Sequence, residues 1–306
     1  MRFSIWLGME QPWEELLAAA GHAERTGWDA VYVADHFTPG AEPTSTPRLE
    51  AWTTIAALAT RVARVRVGVL VTANNYRHPA VLANMAATVD HLSAGRHVLG
   101  LGAGWQPNGQ GADGSELPAI PERLARLEEA LEVIGLLHSE ERSSFEGRFY
   151  RLTDAPCEPK PIQRPLPLLV GGSGESISMR IVARYADEWN CWGLPDLTAR
   201  RTEDLERHCA EIGRDPASIK RSAQALVMMS DDGEQVTRWR SDRLTVPHIV
   251  GTPAEVAEVM GRYAEIGVDE FIVPDRTLGR DASERRDKMD QFLGEATVHL
   301  RHLPGR

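Results

Sequence analysis

Cysteine is scarce: Cys157, Cys191 and Cys209 are the only three among 306 residues, and their spacing is wide and unequal. No paired-cysteine zinc pattern exists, and any disulfide would leave one thiol over. A disulfide-stapled scaffold is thereby excluded, and a reducing, cytoplasmic setting is expected. Long hydrophobic runs are also lacking. Arginine, aspartate or glutamate interrupts every apolar stretch before the ~18 residues needed to cross a bilayer. The opening segment from Met1 meets Glu10 and Gln11 before a signal-peptide core develops. No membrane partner is expected. Nor is there a basic stripe: 34 lysines and arginines face 44 acidic residues, a net charge of -10, which argues against nucleic acid as a partner. Solubility accounts for that acidity.

Several reaction signatures are missing too. No Gly-Lys-Ser or Gly-Lys-Thr follows a glycine-rich turn, so no nucleotide P-loop is present, and no Gly-x-Ser-x-Gly elbow supports a serine hydrolase. The first strand candidate, residues 3–8, carries no histidine for a metal-dependent barrel hydrolase. His299 and His302 are spaced like one-turn metal ligands, but they lack a nearby third ligand and fit a surface helix better. No metal site is expected.

What is there is an alternation. Apolar residues make up 42% and charged residues 25%, the balance of an ordinary globular chain. Strand-like runs at 3–8, 29–34, 65–71, 97–102, 166–170, 188–192, 221–229 and 269–273 alternate with segments of helical spacing at 12–26, 50–62, 80–92, 123–137, 176–185, 197–212 and 252–266. In the segment 123–137, Leu124, Leu127, Leu131 and Ile134 make one apolar stripe, with Arg126, Glu128, Glu129 and Glu132 outside it. Such alternation demands a parallel sheet with helices packed against it. The doubly wound alternative should show a glycine fingerprint after its first strand, and here that strand runs into Met9-Glu10-Gln11-Pro12. The expected architecture is α/β: a (β/α)8 TIM barrel forming one domain over residues 1–306. An inserted loop and hairpin is expected roughly at 138–165, with its turn at Glu146-Gly147.

Barrel enzymes work at the C-terminal ends of their strands, which singles out four clusters. They are Asp35-His36-Phe37, Thr72-Ala73-Asn74-Asn75, the stretch Gly102-Ala-Gly-Trp-Gln-Pro-Asn108, and Gly171-Gly172-Ser173-Gly174-Glu175-Ser176. The last lies between a strand and a helix, where turned backbone amides and a helix N-terminus suit a phosphate, although a tight turn capped by a serine fits the local pattern equally well. His36 can exchange protons near neutrality. The glycines of Gly100-Leu-Gly-Ala-Gly104 are read as space for a flat ligand.

Taken in order, these segments resemble the luciferase-like monooxygenase superfamily. The resemblance is carried by Trp28-Asp-Ala-Val-Tyr-Val-Ala-Asp-His-Phe37, by Tyr76-Arg-His-Pro-Ala80 through Asp90, and by Leu92-Ser-Ala-Gly-Arg96. It continues through Gly100-Leu-Gly-Ala-Gly-Trp105, Pro165-Leu-Pro-Leu-Leu-Val-Gly-Gly-Ser-Gly-Glu175 and Ala186-Asp-Glu-Trp-Asn190. Within it the chain is similar to the actinobacterial branch of F420-dependent oxidoreductases, through Pro12-Trp13 and Ala155-Pro-Cys-Glu-Pro159.

The resemblance implies an eightfold barrel that binds F420, or alternatively FMN in its reduced form (FMNH2), at its C-terminal mouth. His36 would be the catalytic proton partner beside the ring, next to Asp35, and Leu70-Val71 the ring-supporting bulge, often a non-proline cis peptide in this family. Trp105 and Asn108 would line the cofactor site, and Gly171, Gly172, Ser173, Gly174 and Glu175 would hold the phosphate. Trp105 stands where sugar-phosphate dehydrogenases of this superfamily place a glutamate, which argues against that reaction. Residues 109–114 depart from relatives that carry a glutamate after the asparagine, through either an altered substrate pocket or drift of an exposed loop.

The implied activity is hydride transfer to or from a small organic substrate by a homodimer, with a separate flavin or F420 reductase as partner. A reduced-FMN two-component monooxygenase and a non-catalytic flavin-binding barrel are the alternatives.

Overall fold

The computed structural model describes residues 1–37, 46–104, 117–172, 176–242 and 244–300. Its first half runs β1 (Arg2–Leu7), α1 (Trp13–Thr26), β2 (Ala30–Val33), α2 (Ala51–Ala59), β3 (Arg66–Val69), β4 (Thr72–Ala73), α3 (Pro79–Leu92) and β5 (His97–Gly102). Next come α4 (Ile120–Ser139), β6 (Ser143–Glu146), β7 (Arg151–Ala155), β8 (Leu168–Gly171), α5 (Ser176–Tyr185), β9 (Glu188–Trp192) and α6 (Pro195–Glu211). The chain continues through β10 (Lys220–Gln224), β11 (Leu226–Met229), α7 (Gly233–Ser241), β12 (His248–Gly251), α8 (Pro253–Glu265), β13 (Glu270–Pro274) and α9 (Ala282–Gln291).

Around the ring the order is β3, β2, β1, β13, β10, β9, β8, β5, and β5 pairs back to β3 through His97 with Val67 and Val98 with Gly68. Eight parallel strands therefore close into the expected barrel. β4 is a two-residue continuation of β3, paired to Leu101 and Gly102 of β5.

Strand side chains alternate between two cores, because successive residues point to opposite faces. Phe3, Ile5, Val31, Val33, Val67, Val69, Leu99 and Leu101 pack outward in the main core with the helices. The other parity points inside, where Ala30, Tyr32, Leu70, Val98, Leu169 and Ile272 form a second cluster, with half-buried Trp6 and Val71 packed against it.

The opposite end of the barrel interior is ionic. Arg2, Arg66, Glu188 and Glu270 each open a strand. Arg66 reaches Glu188 at 2.5 Å and Glu270 at 3.5 Å, while Arg2 pairs with Glu270 at 2.8 Å. The Ser4 hydroxyl donates to Glu270 at 2.6 Å, and the Tyr32 hydroxyl donates to the same carboxylate at 3.3 Å. Burial alone would raise the Glu270 carboxyl, but the two guanidiniums and two hydroxyls hold it below its ordinary value. This buried network locks the N-terminal end of the barrel, leaving the other end for chemistry.

Four expectations need correction. The strand read at 221–229 is two strands: β10 ends at Gln224, and β11 leaves the ring to pair with β12, which had no counterpart in the sequence reading. No glycine, proline or other turn residue between Gln224 and Leu226 marks the change of partner. The helices α7 and α9 were likewise not anticipated. The inserted hairpin is real, but β6 and β7 flank the segment 147–150, so its strands lie farther apart than expected. Residues 298–300 form a turn, not a helix, and His302 lies outside the described residues.

Candidate active site

Asp35 and His36 follow β2 directly at the C-terminal mouth. The Asp35 side chain is 1% exposed and both its oxygens are engaged. Arg77 donates to Oδ2 at 2.7 Å and to Oδ1 at 3.2 Å, and the Ala73 amide donates to Oδ2 at 3.1 Å. Arg77 also donates to Glu50 at 2.5 Å, and the Glu50 carboxylate caps α2 by accepting from the amides of Trp52 and Thr53. Burial raises the Asp35 carboxyl above its usual value, against the pull of Arg77. Such a carboxylate is a fastener. It ties the loop that carries half-buried His36 to the segment just beyond β3.

That segment contains a cis peptide between Leu70 and Val71, as the resemblance implies. Leu70 is buried inside the barrel, while Val71 is partly exposed at the mouth. Three glycines make room for Val71. A Cβ on Gly102 would stand 2.7 Å from Val71 Cγ2, one on Gly171 3.0 Å from both its methyls, and one on Gly100 3.2 Å from Cγ1 and 2.2 Å from Val69 O. Gly100 and Gly102 thus accommodate a side chain of the neighbouring strand, not a ligand directly as the sequence suggested. Val71 is β-branched and stiff at χ1, so Gly102→Ala is expected to cost about 1–3 kcal/mol, read as a lowered urea midpoint. An unchanged midpoint would show that Val71 can shift freely.

Gly171 and Gly172 end β8 just before α5. The Gly172 amide donates to Asn190 O at 3.2 Å, and its carbonyl accepts from Trp189 Nε1 at 3.3 Å. Gly172 therefore offers space, not a free donor. Among the described residues, a Cβ there would meet nothing nearer than Ser178 at 3.6 Å. Ser173, Gly174 and Glu175 of the same loop, and Trp105 and Asn108 after β5, lie outside the described residues.

The inserted hairpin reaches this site. Glu129 on α4 accepts the amides of Arg148, Phe149 and Tyr150, and the guanidiniums of Arg126 and Arg148 stand over the Phe149 ring, 4.5 and 4.8 Å from its centroid. So anchored, the hairpin places Tyr150 OH 3.3 Å from Asn74 Nδ2, one residue beyond β4.

Sequence reasoning missed Trp6, Gln224 and Asp275 as site residues and noted Trp192 only as part of a strand. Trp6 is the penultimate residue of β1, and Trp192 and Gln224 end β9 and β10. The Trp6 and Trp192 rings meet edge to face at 5.7 Å. Asp275, just past β13, accepts from the Gly8 amide at 2.9 Å, and burial pushes its carboxyl up to about 6. The available signal was positional, since all four occupy inward or rim positions where strands end.

A parallel eightfold barrel with a bulged third strand and a conjoined Asp-His loop at its mouth defines a class of cofactor-binding barrel. The luciferase-like monooxygenase family model matches residues 1–249, and the chain belongs to that family. An F420-dependent glucose-6-phosphate dehydrogenase from Intrasporangium calvum is 30% identical over 316 residues, covering 95% of this chain and 89% of that protein. An F420-dependent hydroxymycolic acid dehydrogenase from Mycobacterium tuberculosis is 28% identical over 295 residues, covering 95% of this chain and 79% of the relative. Among solved structures, an F420-dependent secondary alcohol dehydrogenase in complex with an F420-acetone adduct superposes with a TM-score of 0.82. Its identity is 20%, over 97% of this chain and 99% of the other. Among the described residues no helix is long and apolar enough to cross a membrane.

Proposed function

We propose that the protein is an F420-dependent oxidoreductase that moves a hydride to or from a small organic substrate, with His36 as the proton partner. The observation that carries this reading is the hydrogen bond from the Ala73 amide to Asp35, which fastens the His36 loop to the Val71 bulge. The relatives' shared dependence on F420 supports the choice of cofactor. The mouth fits such a group: Val71 stands half-exposed on a floor of glycines, an apolar rest for a flat ring. Gly172 leaves room beside the start of α5, where a helix N-terminus favours a phosphate. When bound, F420 supplies the hydride chemistry.

His36 takes or gives the accompanying proton, and Asp35 acts through the loop that it holds. Leu70 seats the bulge on the barrel interior. Trp105 and Asn108 complete the ring site, and Gly171, Ser173, Gly174 and Glu175 complete the phosphate loop with Gly172. The protein works in the cytoplasm as a homodimer, with a separate F420 reductase restoring the cofactor's working redox state.

Gly172→Asp tests the phosphate loop at little cost to the fold, because among the described residues its Cβ would meet no atom closer than 3.6 Å. The variant should keep the wild-type melting temperature and bind F420 at least about tenfold more weakly, through an anion placed against an anion. Equal affinity in a fluorescence titration would remove this loop from the phosphate site.

A further inference from the structure

Three polar atoms at one corner of the mouth are shielded from water and have no hydrogen-bond partner among the described residues: Trp6 Nε1, Trp192 Nε1 and Gln224 Oε1. Gln224 is only 4% exposed, so its amide oxygen cannot be excused as a surface group. Buried donors and acceptors are almost always paired, and leaving them unpaired is costly. Three in one place point to a partner that the described residues do not provide.

Their placement says what that partner is near. Trp192 and Gln224 are register neighbours on β9 and β10, and Trp6 on β1 lies level with Pro274 of β13. β13 and β10 separate β1 from β9 round the ring, so indoles that meet at 5.7 Å and 74° have reached across the top of the barrel interior. Trp6 packs on the same interior cluster as Val71. The floor of the mouth therefore has two parts, the Val71 bulge on the β3 side and the indole pair on the β1 and β9 side.

We propose that Trp6, Trp192 and Gln224 form the substrate-recognition corner, and that it takes an uncharged alcohol or carbonyl compound with an apolar or aromatic body. The proposal rests on the oxidoreductase reading, which assigns Val71 to the cofactor and leaves the indole side to the substrate. The chemistry of the corner selects the class. Two indole N–H groups are donors only, so they call for an oxygen acceptor, and Gln224 Oε1 calls for a hydroxyl donor. The indole faces offer an apolar, flat surface. None of the three side chains carries a charge, so this corner supplies no counter-ion to a phosphate or carboxylate. The nearby guanidinium of Arg77 is already engaged by Asp35 and Glu50, and that of Arg285 by Gln11 with Asp275 3.9 Å away.

The test uses 1-phenylethanol, whose hydroxyl can accept from an indole and donate to Gln224, with glucose 6-phosphate as the charged comparison. Wild-type protein, Trp192→Phe and Gln224→Leu are loaded with F420, and calorimetry gives the dissociation constant of each probe beside the KM for F420 reduction. Trp192→Phe removes the N–H but keeps an aromatic ring, so it guards against a merely misfolded variant. The expected result is that both variants hold F420 as the wild type does, while affinity for 1-phenylethanol falls about tenfold and its KM rises to match. Three results overturn the proposal: no binding of 1-phenylethanol to F420-loaded protein, binding of glucose 6-phosphate that both variants leave intact, or F420 affinity that falls with the alcohol's. The last would assign the corner to the cofactor. Failure of the wild type to bind F420 at all would instead remove the oxidoreductase reading beneath it.

Discussion

His36→Ala is expected to lower turnover by roughly 10²–10⁴-fold, the usual contribution of a positioned general acid or base, while F420 affinity changes by no more than about twofold. The split follows from the architecture. The bulge that carries Val71 is fixed by its glycine neighbours and by Asp35, and the fastening runs through Arg77, Glu50 and the Ala73 amide without using the imidazole. Removing the imidazole leaves these contacts in place, so the ring site should stand while the proton path is lost. Steady-state kcat set beside a fluorescence-derived dissociation constant checks this, and an unchanged kcat would take His36 out of the mechanism.

The second large effect concerns the other end of the barrel. Arg66→Met removes the guanidinium shared by Glu188 and Glu270 and leaves two carboxylates, 2% and 1% exposed, whose remaining cationic partners among the described residues are Arg2 at 2.8 Å from Glu270 and Lys220 at 3.9 Å from Glu188. Breaking a buried pair from one side costs about 3–5 kcal/mol, and the surviving partners place the expectation at about 3 kcal/mol by the same rule.

The pH dependence has a definite sign. In the wild type the folded-state value of Glu270 lies below its ordinary one. Its stabilisation is therefore complete above the unfolded value of ~4.3 and is lost as pH falls through the folded value. In the variant the Glu270 carboxylate, having lost one guanidinium, should titrate higher when folded than in the wild type, so the deficit is largest at neutral pH and shrinks on acidification. Urea unfolding at pH 7 and pH 5 measures both. A deficit that grows toward pH 5 would contradict the electrostatic explanation.

How much of this was legible in the sequence depended on range. Most of the barrel strands stood out because a short, largely apolar run is bounded by turns and followed by a helical stripe, which are local signals. Asp35, His36, Leu70 and Val71 could be placed because a strand end is a position, and the family resemblance supplied a role. Long-range partners could not be read. Gly100 and Gly102 looked like ligand space because nothing local reveals that Val71, some thirty residues earlier, fills that volume. Trp6, Trp192 and Gln224 sit on three strands that the ring brings together, and no spacing in the chain links them. No turn residue separates Gln224 from Leu226, so the departure of β11 toward β12 left no local mark. Tyr150 belonged to an insertion that sequence reading set aside, yet its hydroxyl contacts Asn74.

The central claim is that this barrel mouth is built for F420. Side-by-side equilibrium titration of the wild-type protein with F420, reduced F420, FMN and reduced FMN, followed by ring fluorescence and absorbance, tests it most directly. The account predicts that F420 in one or both redox states binds at least about tenfold more tightly than either form of FMN. Tight binding of reduced FMN with no binding of F420 would contradict it and turn the chemistry of this mouth toward oxygen insertion.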